Sequence, residues 1–147
     1  MTRFKQLRKD ESGAAVIELA LSLPILVTMI YGIFEFSQLY EANAGMQHAL
    51  GEGARYATLC IPNPNSTTGC DAPSDTNIVA VENAKLFGPA GGVFTVQNPS
   101  TVDAYKTLTI TYTRTMNFLM FTGPAITLTR SKQVYIAAAA IPPPATP

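Results

Sequence analysis

The stretch "GAAVIELALSLPILVTMIYGIFEF", residues 13–36, decides how this chain folds. Residues 19–34 hold no charged side chain. With Ala14–Ile17 in front, the apolar run is about 21 residues long, interrupted only by Glu18; at about 1.5 Å per residue a helix of that length spans a ~30 Å hydrocarbon core. A carboxylate in hydrocarbon costs about 2.5–3.5 kcal/mol on insertion scales, so Glu18, so near the start of the run, needs a reason. Pro24 removes one helical hydrogen bond and Gly32 loosens the helix, and membrane helices tolerate both better than soluble ones do.

Beyond residue 36 the helical pattern continues. Leu39, Met46, Leu50, Ala54 and Ala57 form an apolar stripe at helical spacing. Asn43, Gln47, Glu52 and Arg55 fall elsewhere on the cylinder, with Glu52 and Arg55 three apart and able to pair. The pattern predicts one helix from about Ala14 to about Thr58, roughly 67 Å long, greasy all round in its first half and amphipathic in its second. Gly45, Gly51 and Gly53 each weaken a helix by up to ~1 kcal/mol relative to alanine, and also permit another backbone to come close.

"CIPNPNSTTGC" (60–70) ends the helix with two prolines and a cluster of Asn, Ser, Thr and Gly, the composition of a loop. Asp75 is placed to cap a short helix over about 76–87, with Val79, Leu86 and Phe87 as its apolar face, stopped at Gly88-Pro89. The period then changes to two. Val93–Gln97 is a short strand candidate, and "KTLTITYTR" (106–114) alternates Leu108, Ile110 and Tyr112 with threonines, which predicts one buried and one wet face. Ile126–Thr129 and Gln133–Ile136 are predicted as further strands, joined by a tight turn at Ser131-Lys132. "IPPPATP" (141–147) is Pro-rich, an extended tail. The predicted fold class is α+β: a long N-terminal helix, transmembrane then amphipathic, followed by a small α+β head with an antiparallel sheet. A head of about 90 residues buries a modest core and leans on the amphipathic half of the helix.

Composition agrees with a membrane segment. Of 147 residues 47% are hydrophobic and 14% charged, below the ~25% charged share of soluble chains. The formal net charge is zero, so no basic field favours nucleic acid. Charge is unevenly placed: Arg3, Lys5, Arg8 and Lys9 outnumber Asp10 and Glu11 ahead of the apolar run. Basic residues before such a run keep the N-terminus cytoplasmic and send the C-terminal remainder across the membrane. The cysteines, Cys60 and Cys70, both lie beyond the run. If that side is the periplasm or the exterior, an intramolecular disulfide is their natural state. A single histidine and one cysteine pair fall short of the four N/S ligands of structural zinc, so no metal and no cofactor is expected.

The N-terminal third carries a resemblance. A short charged leader ending in glycine before "AAVIEL", an "LPxL"-type apolar run closing with "GIFEF", and "GEGARYA" at 51–57 together resemble the TadE-like family of tight-adherence (Flp-type) pilus systems, small proteins of the type IV pilin superfamily. The likeness covers about residues 10–58. It implies a 1–13 leader removed by prepilin peptidase after Gly13, leaving Ala14 as the mature N-terminus. It also implies a helix over 14–58, a periplasmic head over 59–141 and a 142–147 tail. Glu18 becomes the fifth mature residue, the position where type IV pilins carry a glutamate. Leu19 departs from the tyrosine usual at the next position in major Flp pilins, and the chain is larger than those pilins. Both features favour a minor, TadE-like pseudopilin that does no chemistry and is itself a peptidase substrate. The implied partners are the bacterial inner membrane, the Flp major pilin, other TadE/TadF-like minor pilins and the platform membrane proteins. The implied location is a single pass with the head periplasmic, open to incorporation into an extracellular pilus. Cleavage would create an α-amino group of pKa about 8 one helical turn from Glu18. Glu18 would lie near the positive end of the helix dipole, able to pair with its own amine or a neighbour's.

Rival readings make different predictions. A secretory signal peptide cut after Ala44, at the A-x-A of Ala42–Ala44, conflicts with an apolar core longer than the usual 7–15 residues. A signal-anchored periplasmic protein with an unrelated structural or binding role retains Met1 or Thr2 and is indifferent to Glu18→Ala. An enzyme would need more than His48, a paired Cys60 and Cys70, and threonines without a "GxSxG" elbow. Asp71, Asp75 and Asp103 do not have the spacing of a calcium loop.

Overall fold

Residues Glu11–Ala57 form one uninterrupted helix, α1, of 47 residues, roughly 70 Å long. The computed structural model describes residues 11–66, 69–118 and 121–136; the leader residues 1–10 and the Pro-rich tail lie outside this range. Pro24 sits inside α1, where Thr28 Oγ1 donates to its carbonyl at 2.7 Å. The helix is already formed ahead of the expected Ala14, since Glu11, the first described residue, and Ser12 take helical geometry.

After α1 come β1 (Ile61–Pro62), β2 (Cys70–Asp71), α2 (Asp75–Lys85), β3 (Val93–Val96), β4 (Ser100–Val102), β5 (Tyr105–Phe118) and β6 (Phe121–Tyr135). The expected loop at 60–70 is closed at its base by the ribbon β1–β2, pairing Ile61 with Asp71 and Pro62 with Cys70. Within it Asn65 N donates to Asn63 Oδ1 at 3.0 Å, an Asx turn that satisfies backbone without sheet. The cap of α2 is Ser74, not Asp75: its hydroxyl accepts from Asn77 N at 3.3 Å. Asp75 instead pairs with Lys106. The buried face of α2 is Ile78 and Glu82, one turn apart. Leu86, just past the helix, packs against the core, while Phe87 is exposed.

The main sheet is antiparallel and centred on β5. β6 runs along one edge for its whole length, and β3 and β4 share the other. The turn expected at Ser131-Lys132 is absent: Ser131 pairs with Thr109 and Lys132 with Leu108, inside one continuous β6. The long β5 gives residues 126–136 an unbroken partner, and nothing interrupts the pairing there. The ladder shifts register between Thr115 and Asn117, opposite Gly123-Pro124, where a proline fits a bulge. β4 is three residues without alternation and left no pattern to find.

The core is shared by four elements. Ala42, Met46, Ala49, Leu50, Ala54 and Ala57 of α1 meet Ile78 of α2 and Leu108, Ile110 and Tyr112 of β5, with Val134 of β6 closing one side. The expected alternation of β5 holds, its threonines facing outward; Thr113 and Thr127 hydroxyls meet across the outer face at 3.3 Å. The C-terminal half of α1 is thus a structural member of the head.

Candidate functional site

Among the described residues most of the exposed large hydrophobic side chains lie on the apolar half of α1. Val16, Ile17, Leu19, Leu21, Ile25 and Met29 each present more than half of their surface. Among the described residues α1 is the one helix long and apolar enough to cross a membrane, and no residue of its most apolar window is buried. Gly13 and Ala14 lie in the helix before this run, and a methyl placed on Gly13 meets nothing within 4 Å. Glu18 is exposed, four residues after Ala14, and no described side chain pairs with it. An unpartnered carboxylate on an apolar surface calls for a compensating group from outside this fold.

One seam runs along α1 and organises everything docked on it. Glu35, Ala42, Met46, Ala49, Gly53 and Ala57 recur by threes, fours and sevens, and all are buried. Descending the helix, Arg130 of β6 donates through Nε to Asn43 Oδ1 at 2.7 Å. Lower still, Arg114 of β5 donates to Gln38 Oε1 and lies 3.3 Å from the Glu35 carboxylate. Lowest, Phe118 Cε1 stands 4.0 Å from where a methyl on Gly32 would sit. The β5–β6 hairpin therefore lies along α1 with its tip toward the apolar run.

Two of the three glycines in the second half are close-packing sites. A methyl on Gly45 would collide with the Phe87 backbone, and one on Gly53 would fall 2.5 Å from Glu82 Cγ. Gly51 faces open space. The Glu82 carboxyl is enclosed against Gly53 with neither oxygen hydrogen-bonded. Burial pushes its pKa from 4.5 up to about 7, because the charged form loses its water.

Cys60 and Cys70 are joined, with Cα atoms 5.4 Å apart, across the mouth of the β1–β2 ribbon. The remaining polar candidates are dispersed. His48 is exposed, its ring 5.8 Å from that of Phe87. Asp71 accepts from Asn63 Nδ2, and Asp75 takes Lys106 Nζ at 2.6 Å while Lys106 also reaches Pro73 O. Asp103 occupies a turn at φ 55°. No group of three or more His, Cys, Asp or Glu among the described residues is placed to hold a metal ion. Sequence reasoning missed the Glu35–Arg114 pair. The available signal was that Glu35 closes the uncharged run 19–34 and Arg114 opens another, 115–129.

A long apolar helix fused into a small α+β head fits a single-pass membrane anchor. The family model described as TadE-like protein matches residues 13–55, from the glycine before the apolar run to the last turns of α1. That match supports the TadE-like resemblance and suggests a minor-pilin-like membrane protein related to tight-adherence pili. No curated protein and no solved structure matches the chain.

Proposed function

We propose that this chain is a TadE-like minor pilin, or pseudopilin, that takes part in assembling a tight-adherence pilus. One observation carries the reading: the TadE-like match coincides with a single continuous helix whose exposed apolar half bears one unpaired carboxylate, Glu18, at the fifth position after Gly13. In this reading prepilin peptidase cuts between Gly13 and Ala14. The amine of Ala14, or that of a neighbouring subunit, then compensates Glu18 inside the apolar bundle. The apolar helices pack together as subunits leave the inner membrane, with the heads on the periplasmic side. The exposure of residues 16–34 supports this, since such a surface needs lipid or other helices around it. The Cys60–Cys70 bridge suits an oxidising compartment. Flp pilin, companion minor pilins and the platform proteins are the proposed partners.

The test is the mass of the mature N-terminus in cells that express the peptidase. A start at Ala14 that is lost with Gly13→Val supports the reading. A start at Gly45 or an intact Met1 or Thr2 removes it, and so does normal piliation and partner retention with Glu18→Ala.

A further inference from the structure

We infer that the end of the β5–β6 hairpin, at Phe118 and Phe121, is a second membrane contact, resting at the boundary between headgroups and hydrocarbon beside the point where α1 leaves the bilayer. This rests on the reading of α1 as a membrane-spanning helix. Glu35 and Arg114 meet at 3.3 Å. On the N-terminal side of Glu35 the helix is uncharged from 34 back to 19, and on the tip side of the Arg114–Ile126 pair the described hairpin residues, 115–118 and 121–125, carry no charge. The two segments therefore lose their charges at one common level. From Glu18 to Glu35 the helix rises about 26 Å, close to the thickness of a hydrocarbon core. A bilayer bounded by those two carboxylates places Gly32 some 4–5 Å inside its outer boundary. Phe118 Cε1 stands 4.0 Å from where a methyl on Gly32 would sit, which brings Phe118, and Phe121 paired with it, to a similar depth.

The tip is built for that layer. Phe118 and Phe121 stack with centroids 4.8 Å apart, and Phe121 leaves 58% of its surface uncovered. Tyr31, on the same level of α1, adds an interfacial aromatic. Beyond Thr113 no strand among the described residues pairs with the β3 side of β5. The tip is thus a bare two-stranded arm with unpaired backbone edges, which hydrocarbon would penalise. That limits it to the boundary between headgroups and hydrocarbon and rules out deeper insertion. Lipid is the occupant because α1 belongs to the same chain, so wherever the helix is inserted, lipid surrounds the level that the tip reaches.

The chain has no tryptophan, so Phe121→Trp and Tyr31→Trp each introduce a unique probe into the full-length protein in vesicles of phosphatidylethanolamine and phosphatidylglycerol. Tyr105→Trp, at the far end of β5, is the water-exposed control. Lipids brominated near the headgroup should reduce the emission of the residue 121 probe about two-fold, and that of the residue 105 probe negligibly. Quenching at 31 without quenching at 121 overturns the inference and leaves the helix reading intact. A blue-shifted but unquenched residue 121 probe means that protein covers the tip, and overturns it too. Absence of quenching at 31 removes both the membrane reading and the inference. Circular dichroism matching the parent chain establishes that each variant folds.

Discussion

Arg114 Nη2 stands 3.3 Å from Glu35 Oε2, and both side chains are at least nine-tenths buried. Seventy-nine positions apart in sequence, these two residues pin the central strand of the head to the helix where its apolar run ends. The guanidinium is also tied to Gln38. Removing one partner leaves the other charge buried and uncompensated, which costs about 3–5 kcal/mol, whereas replacing both with apolar groups is far milder. Arg114→Ala should therefore lower the melting temperature of the detergent-solubilised protein strongly, and Glu35→Leu with Arg114→Met should recover most of it. Equal melting of parent and Arg114→Ala would show that the pair contributes nothing.

Glu82 makes head stability depend on pH with an unusual sign. Its folded pKa is raised to about 7 from 4.5 by burial. Below 4.5 both folded and unfolded states hold the proton and there is no penalty. Between 4.5 and 7 the unfolded state releases it first, so stability falls as pH rises, and the full penalty is present above 7. The integrated loss is on the order of 3 kcal/mol. Denaturant melts from pH 4.5 to 8 should show this decline, and Glu82→Gln should flatten it. A decline of the same size in Glu82→Gln would assign it to another group.

The glycines of α1 should respond in opposite directions. Gly45→Ala drives a methyl into the Phe87 backbone, and overpacking of this kind costs about 1–3 kcal/mol. Gly51 meets nothing within 4 Å, so Gly51→Ala should stabilise by up to ~1 kcal/mol through helix propensity alone. Thermal melts of the two variants side by side decide the matter; the same sign for both would contradict the packing described.

The Cys60–Cys70 bridge closes nine intervening residues. Cross-linking a loop of that size stabilises by about 2–3 kcal/mol through the unfolded chain. Cys60→Ser with Cys70→Ser should lower the denaturant midpoint of the head accordingly. Free-thiol labelling of the oxidised protein should be negative until a reductant is added.

Much of this architecture was legible in the residues. The run at 19–34, the stripe from Leu39 to Ala57 and the alternation of Leu108, Ile110 and Tyr112 are periodic signals that tertiary packing reinforced. The exposed, unpartnered Glu18 was legible for the same reason: a lone charge in an apolar run is conspicuous. The hidden features were non-local. Ser131 and Lys132 look like a turn until Thr109 and Leu108 are opposite them. Glu82 looks like an ordinary surface acid on α2 until Gly53 is found to make the room that buries it. Arg114 ends a strand motif in the sequence, and only the hairpin's course along α1 brings it to Glu35.

The unbroken course of α1 from Glu11 to Ala57 has a mechanical consequence. With no hinge between the apolar half and the core-forming half, the helix transmits torque, and its phase fixes the azimuth of the head. Each residue added or deleted between Glu18 and Glu35 turns the head by about 100° and shifts it by about 1.5 Å relative to Glu18. The spacing between those two glutamates is therefore a clocking angle, as well as a length, between Glu18 and the head.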